Sequence, residues 1–457
     1  MNEQRGNVPV KILVPVGMLG GGFPKATITR GLELGADVIA VDGGSTDSGP
    51  HYLGASQPKT ARPAVMYDMR RILLGARLAG IPVIVGSCGT SGTDSGVDWL
   101  AGITAEIAAQ EGLDLVVARI YSEIEPVDLH ERLKNGRIHP LPPAQELEAD
   151  VLDACEHIVG LMGHDPIVDA LNAGANVVLA GRCTDTAIIA AVPMMRGLPW
   201  GPTWHAAKIA ECGGVCTTGN GFGGVMVSID DQGFDVEPLD ESSACTPFSV
   251  AAHMLYENSD PFVMREPAGT LDTSQATYTA LDDRRVRVEG SRFELAQQQT
   301  IKLEGAAAVG CQTVSIVGIR DNDAVARIDT WMTTLETFLH DRIPTVLGLE
   351  PGGYDIRLKA YGHNAVLGDL DPALEPAREV GVMFSATAAD QATATMVAKF
   401  ANPYLLHHPL PGMDFVPSWS FSTSPAEMER GIIYAFVLQH AVEVDSPTEL
   451  TRMEVSA

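Results

Sequence analysis

Five apolar runs rich in β-branched residues each stop abruptly in a loop of glycine, hydroxyl and charge. They are KILVPVG at 11–17, ADVIAV at 36–41, and the runs 81–86, 113–120 and 175–180. None alternates polar with apolar, so each reads as a strand buried on both faces, with helical patterns such as Arg62 to Ala79 between them. Strand, polar loop and helix in repeated order predict an α/β fold: an N-terminal doubly wound, mostly parallel sheet with helices on both faces, over residues 1–203. From Thr203 the pattern changes to short alternating strands (VMVSID, RVRVEG, TVSIVGI, YDIRLKAYG, VGVMFSATA) and helices near 322–341, 388–401 and 425–435. This predicts a second, C-terminal α+β domain over 204–457 with a mixed or antiparallel sheet.

Parallel strands deliver their carboxyl ends to one edge, where ligands bind in open α/β sheets. The loop after the second run, Asp42-Gly43-Gly44-Ser45-Thr46-Asp47-Ser48-Gly49, holds two acids, three hydroxyls and three glycines in eight residues. Asp42 is the first catalytic candidate. Asp42 and Asp47 together offer oxygen ligands to a hard divalent cation, Mg²⁺, Mn²⁺ or Ca²⁺, although Asp and Ser also cap helices and build turns. His51 is a candidate acid or base, having an ordinary pKa near 6.5, with a structural histidine as the alternative. Gly43, Gly44 and Ser45 are candidate substrate contacts.

The other loops add candidates at the same edge. Gly20, Gly21 and Gly22 follow the first run and precede a helix starting near Pro24, where backbone N–H groups can hold a carboxylate or phosphate. Their spacing fits neither the dinucleotide fingerprint nor a P-loop, so no NAD or nucleotide is expected. Ser87, Thr90 and Ser91 follow the third run and Glu123 the fourth. Asp94 is a catalytic candidate whose plain alternative is a helix cap. Cys88 reads as a small buried thiol. Arg182 and Asp185 follow the fifth run. The Arg182 guanidinium either grips a substrate anion on two prongs or pairs internally with Asp185. Farther on, Glu211 beside a glycine-rich turn is a candidate acid or base. Cys212 and Cys216 lack a second ligand pair for zinc. Tyr361-Gly362-His363-Asn364 is a second candidate patch, and His407, His408 and His440 read as structural.

Charge limits the partners. A net charge of −27 argues against nucleic acid, whose binding rests on neutralising phosphates, but leaves room for an anionic small molecule held by a local cation. No apolar run approaches the roughly 20 residues of a membrane span. The start, MNEQRGNVPV, lacks a signal-peptide pattern, and seven scattered cysteines read as free thiols. Together these point to the cytoplasm.

The motifs LVPVGMLGGGF, VDGGSTDSGPHYLG, AGRCTDTA, AECGGVCTTGN, SIVGIRDNDAVARID, YDIRLKAYGHNAVLG and FSTSPAE, in this order, resemble the acyclic terpene utilisation A family. The resemblance runs from about Lys11 to Glu443. It departs at the first strand, where the family's Gly-Asp appears as Gly20-Gly21-Gly22, so any role of that acid must be filled elsewhere, for instance by Asp42. The resemblance implies catabolism of acyclic terpenes or branched acids: a lyase, by hydration, dehydration or retro-aldol cleavage, acting on a branched hydroxy acid or its CoA thioester. It also implies a small companion protein, because the chain ends at Ala457 without the companion domain many relatives carry. A homo-oligomer is expected. The competing class is a non-catalytic ligand-binding or scaffold subunit of such a pair.

Overall fold

The five apolar runs lie side by side in one sheet. In a computed structural model describing residues 8–219, 221, 223–372, 377–414 and 416–456, they form β1 (Val10–Val14), β2 (Val38–Asp42), β3 (Val83–Gly86), β4 (Val117–Tyr121) and β5 (Val177–Ala180). All are parallel, in the order β1-β2-β3-β5-β4, with Ile12 opposite Val38, Ile39 opposite Val83, and Val177 opposite both Val83 and Val117. Successive residues of each strand serve opposite faces. Ile12, Val38, Ala40, Ile84 and Val178 join one apolar core with the helices Asp185–Met195 and Trp200–Ala210. Leu13, Ile39, Val41, Val85 and Leu179 join another with the helices Arg62–Ala79 and Asp94–Glu111. Burial on both sides explains why no alternation is visible in these runs.

The expected boundary at 203 does not coincide with the division of the chain. One compact unit comprises Met1–Ala307 with Phe436–Ala457, and the other Ala308–Ala435. Residues after 203 stay with the parallel sheet because Trp204 and Ile209 fill its core, and Val225–Ile229 pairs antiparallel with β1. Gly233–Pro238, Val286–Glu289 and Thr277–Ala280 continue that edge, and Arg452–Ser456 closes the other against β4. Two of the alternating strands that looked like a new domain, VMVSID and RVRVEG, are thus antiparallel additions to the first sheet.

In the second unit, Tyr354–Tyr361 and Val380–Ala388 are antiparallel neighbours, and residues 311–319 pair with the latter. Trp331, Leu335 and Leu339 of the helix Ile328–Leu347 and Val397 and Leu405 of the helix Gln391–His407 build its core with Phe384. The helix expected at 425–435 is instead part of the strand Met428–Glu443. Glu427, Met428 and Glu429 favour a helix locally, but Gly431 takes a φ of 71° and the following Ile432-Ile433-Tyr434 prefers extended chain. Among the described residues, no helix is long and apolar enough to cross a membrane.

Candidate functional site

At the carboxyl ends of β1, β2 and β5 lies a cavity of about 580 Å³, lined by Asp42, Asp47, Asp185, Glu211 and Glu257. Gly21, Gly22, Gly44 and Ser45 also line it, with Lys59 as its cation. It lies wholly in the first unit. Of the residues expected at this edge, Asp42, Asp185, Glu211, Asp47 and these loop positions therefore share one space.

Asp42 ends β2 and is 5 % exposed. Its Oδ2 accepts from the Gly44 amide at 3.1 Å, while the buried Oδ1 has no hydrogen-bond partner. Burial, and then the charge of Asp185, hold its pKa well above the ordinary carboxylate range, against the pull of Arg182. Gly43 is required beside it: a Cβ there would lie 2.6 Å from the Gly86 carbonyl, which accepts the Gly43 amide at 2.7 Å. Asp185 opens the helix Asp185–Met195, and burial raises its pKa to about 6, again against Arg182. Glu211 follows the helix Trp200–Ala210 and is bonded by Lys208 one helical turn earlier; burial raises its pKa to about 8.

Arg182 does not present its guanidinium to the cavity as a free anion grip. It is 6 % exposed, its Nε donates to Glu304 Oε2 at 3.1 Å, and its terminal nitrogens donate to Ser87 Oγ and Thr46 Oγ1, both at 3.2 Å. Asp185 stands farther off, at 3.9 Å. Glu304 also accepts from Thr46 Oγ1 at 2.9 Å and Lys302 Nζ at 2.8 Å, and the charges of Arg182 and Lys302 hold its pKa down at about 2 in spite of burial. Arg182 is thus a fixed positive charge behind Asp42 and Asp185. Among the described residues, the cation that lines the cavity is Lys59, whose Nζ donates to Ser48 Oγ at 2.6 Å.

Several expected contacts are structural. Ser87, Thr90 and Ser91 are fully buried where the loop after β3 meets the loop after β5. There the Ser87 amide donates to Gly181 O at 3.1 Å and the Arg182 amide to Gly92 O at 3.1 Å. A Cβ on Gly92 would stand 2.1 Å from the Arg182 nitrogen, so the two loops can approach only through glycine. Glu123 and Asp94 belong to a separate network. The Asp94 amide donates to Glu123 Oε2 at 2.8 Å, Glu123 pairs with His157, and Asp94 pairs with Arg452 at 2.9 Å. His51 opens the short helix His51–Gly54 and lies outside the cavity lining. Cys88 is buried and its thiol is pushed well up, and all seven cysteines are free. His363 pairs with Asp329 at the surface of the second unit. His407, His408 and His440 bond Pro417 O, Thr334 Oγ1 and Gln145 O. Asn220 and Phe222 of the Gly213–Gly224 segment lie outside the described residues.

The Gly20-Gly21-Gly22 turn already holds an anion of its own. The amides of Gly20 and Gly22 both donate to Oδ2 of the buried Asp68, at 2.9 and 3.0 Å, and that of Gly21 to Met18 O. No amide of this turn remains for a substrate. Replacing Asp68 by Ala strands two donors and should cost about 1–3 kcal/mol. Asp68→Asn, which keeps an acceptor, should cost less; thermal melting of both variants checks this.

Among the described residues, no trio of close metal-ligating groups includes Asp42 or Asp47. Asp47 Oδ2 instead takes the Ser45 hydroxyl at 2.5 Å. The trio that does occur is Glu211, Cys212 and His253. Sequence reading missed Lys208, although its spacing from Glu211 is a helical ion-pair spacing. It also missed Glu304, 258 residues from Thr46, for which no local signal exists.

Comparison with curated proteins and with solved structures returned no match. The family model described as acyclic terpene utilisation family protein AtuA matches residues 56–445, a span that includes Asp185, Glu211 and Glu304, and the chain belongs to that family.

Proposed function

We propose that this chain is a catabolic lyase that uses Asp185 as base and Asp42 as acid on a branched hydroxy carboxylic acid or its CoA thioester. The observation that carries the reading is one cavity lined by two carboxyls whose pKa values are both raised by burial, that of Asp185 to about 6 and that of Asp42 well above the ordinary carboxylate range. Asp185, raised to about 6, takes the role of base, and Asp42, 5 % exposed and held well above the ordinary carboxylate range, takes that of proton donor. Elimination of water requires a base for the carbon-bound proton and an acid for the leaving hydroxyl. Asp185 takes the former, Asp42 supplies the latter, and water leaves; solvent exchange restores both groups. In a retro-aldol cleavage the same base takes the hydroxyl proton and the same acid protonates the departing enolate. Lys59 meets the anionic end of the substrate. Membership of the AtuA family supports a catabolic setting.

The test is an assay of branched 3-hydroxy acids and their CoA thioesters, with the small companion protein and any homo-oligomer retained. The rate kcat/KM should rise with pH through about 6 as Asp185 ionises. It should fall again at a higher pH, as Asp42 loses its proton. A rate that does not rise with pH between about 5 and 8 removes Asp185 as the base. Saturable substrate binding without turnover, in wild type and with the companion present, would assign the chain to the scaffold class.

A further inference from the structure

We propose that Glu211, Cys212 and His253 form a binding site for a divalent transition ion of zinc's class. One ligand atom from each lies within 4.8 Å of the others. Oxygen, sulfur and nitrogen donors of this kind select a borderline-soft ion over Mg²⁺ or Ca²⁺. This differs from the hard-cation site expected at Asp42 and Asp47. Bond lengths of about 2.0–2.3 Å place the ligand atoms of a tetrahedral zinc about 3.3–3.5 Å apart. Closing from 4.8 Å therefore takes about 1 Å of side-chain movement.

A second observation is independent of this spacing. His253 is 4 % exposed, stacked on Tyr256 with ring centroids 5.4 Å apart, and its Nε2 has no hydrogen-bond partner. A buried imidazole nitrogen without a partner is a standing demand for a ligand. The place already balances one cation: Lys208 donates to Glu211 Oε1, leaving the other carboxylate oxygen for a metal. Glu211 and Cys212 line the 580 Å³ cavity, and His253 lies close to both. Three protein ligands with the fourth position toward a cavity is the arrangement of an open, reactive metal site. A carboxylate, carbonyl or hydroxyl oxygen of a substrate would take that position.

The inference needs no lyase activity, and its readouts contain no turnover. The full chain is stripped with a chelator, then titrated with Zn²⁺ against a chromophoric chelator, and separately with Co²⁺. The expected result is one ion per chain and a thiolate-to-cobalt charge-transfer band. Cys212→Ser should abolish the band, and Cys212→Ser and His253→Gln should each weaken binding at least roughly tenfold, the lower end of what losing even an outer-shell partner costs. Cys216→Ala should keep both. Bound Zn²⁺ should also shield Cys212 of the wild-type chain from alkylation, read by mass spectrometry, so that a misfolded variant does not decide the matter. Absence of stoichiometric binding, binding that survives both ligand variants, or a Cys212 alkylated equally with and without Zn²⁺ would overturn the proposal.

Discussion

Asp42→Asn should abolish most turnover, by about 10²–10⁴-fold, without weakening the fold. The substitution keeps the shape and an oxygen to accept the Gly44 amide, but removes the transferable proton. Its effect on stability has a definite sign. Because the folded-state pKa of Asp42 is raised, its contribution to stability is greatest below the ordinary carboxylate range and is lost as pH rises toward the folded value. An amide does not ionise, so the variant should be as stable as wild type at neutral pH, or more so. Calorimetry at pH 7 and steady-state rates on one preparation check both halves. Unchanged turnover would exclude Asp42 as the acid. A large loss of stability would mean that Asp42 is held ionised as a structural anion.

The parts of this architecture that are legible in sequence are those set by local pattern. β1 to β5 announce themselves because a strand buried on both faces has no polar positions, as in Val38-Ile39-Ala40-Val41. The loop Asp42–Gly49 is legible for the complementary reason: its residues are poor core material, and Asp42, Ser45 and Asp47 do face the cavity. Composition does not say which polar residues of a strand-end loop meet solvent and which meet one another. Ser87, Thr90 and Ser91 look like binding residues, yet they are fully buried because Gly92 lets the loop close on Arg182. The sequence leaves Arg182 open between an anion grip and an internal pair with Asp185 for a related reason. Its partner Glu304 lies 122 residues away, and a guanidinium is free or occupied according to tertiary neighbours alone. The domain boundary fails because an antiparallel strand reads the same whether it begins a sheet or, like Val225–Ile229, extends one.

Glu304→Gln should produce the largest loss of stability in this region, about 3–5 kcal/mol at neutral pH. Glu304 is the common anion of Arg182 and Lys302, and the glutamine would leave the buried guanidinium without its nearest counter-charge. An independent route gives a similar size. Lowering the Glu304 pKa from 4.5 to about 2 corresponds to about 3 kcal/mol of folding free energy. The sign follows from the depressed value: the contribution is present above 4.5 and is lost as pH falls through about 2. The wild-type advantage should therefore be full at pH 7 and vanish near the acid end of that window. Hydrogen exchange of the amides of β5, whose residues are all buried, measures the difference at each pH. The same substitution should reach the cavity. With Glu304 neutral, the field of Arg182 falls more fully on Asp42 and Asp185, lowering both pKa values. The acid limb of any pH–rate profile should then move below about 6. Equal protection in the two proteins at pH 7 would show that Asp185 neutralises Arg182 on its own, and that Glu304 is not its principal counter-ion.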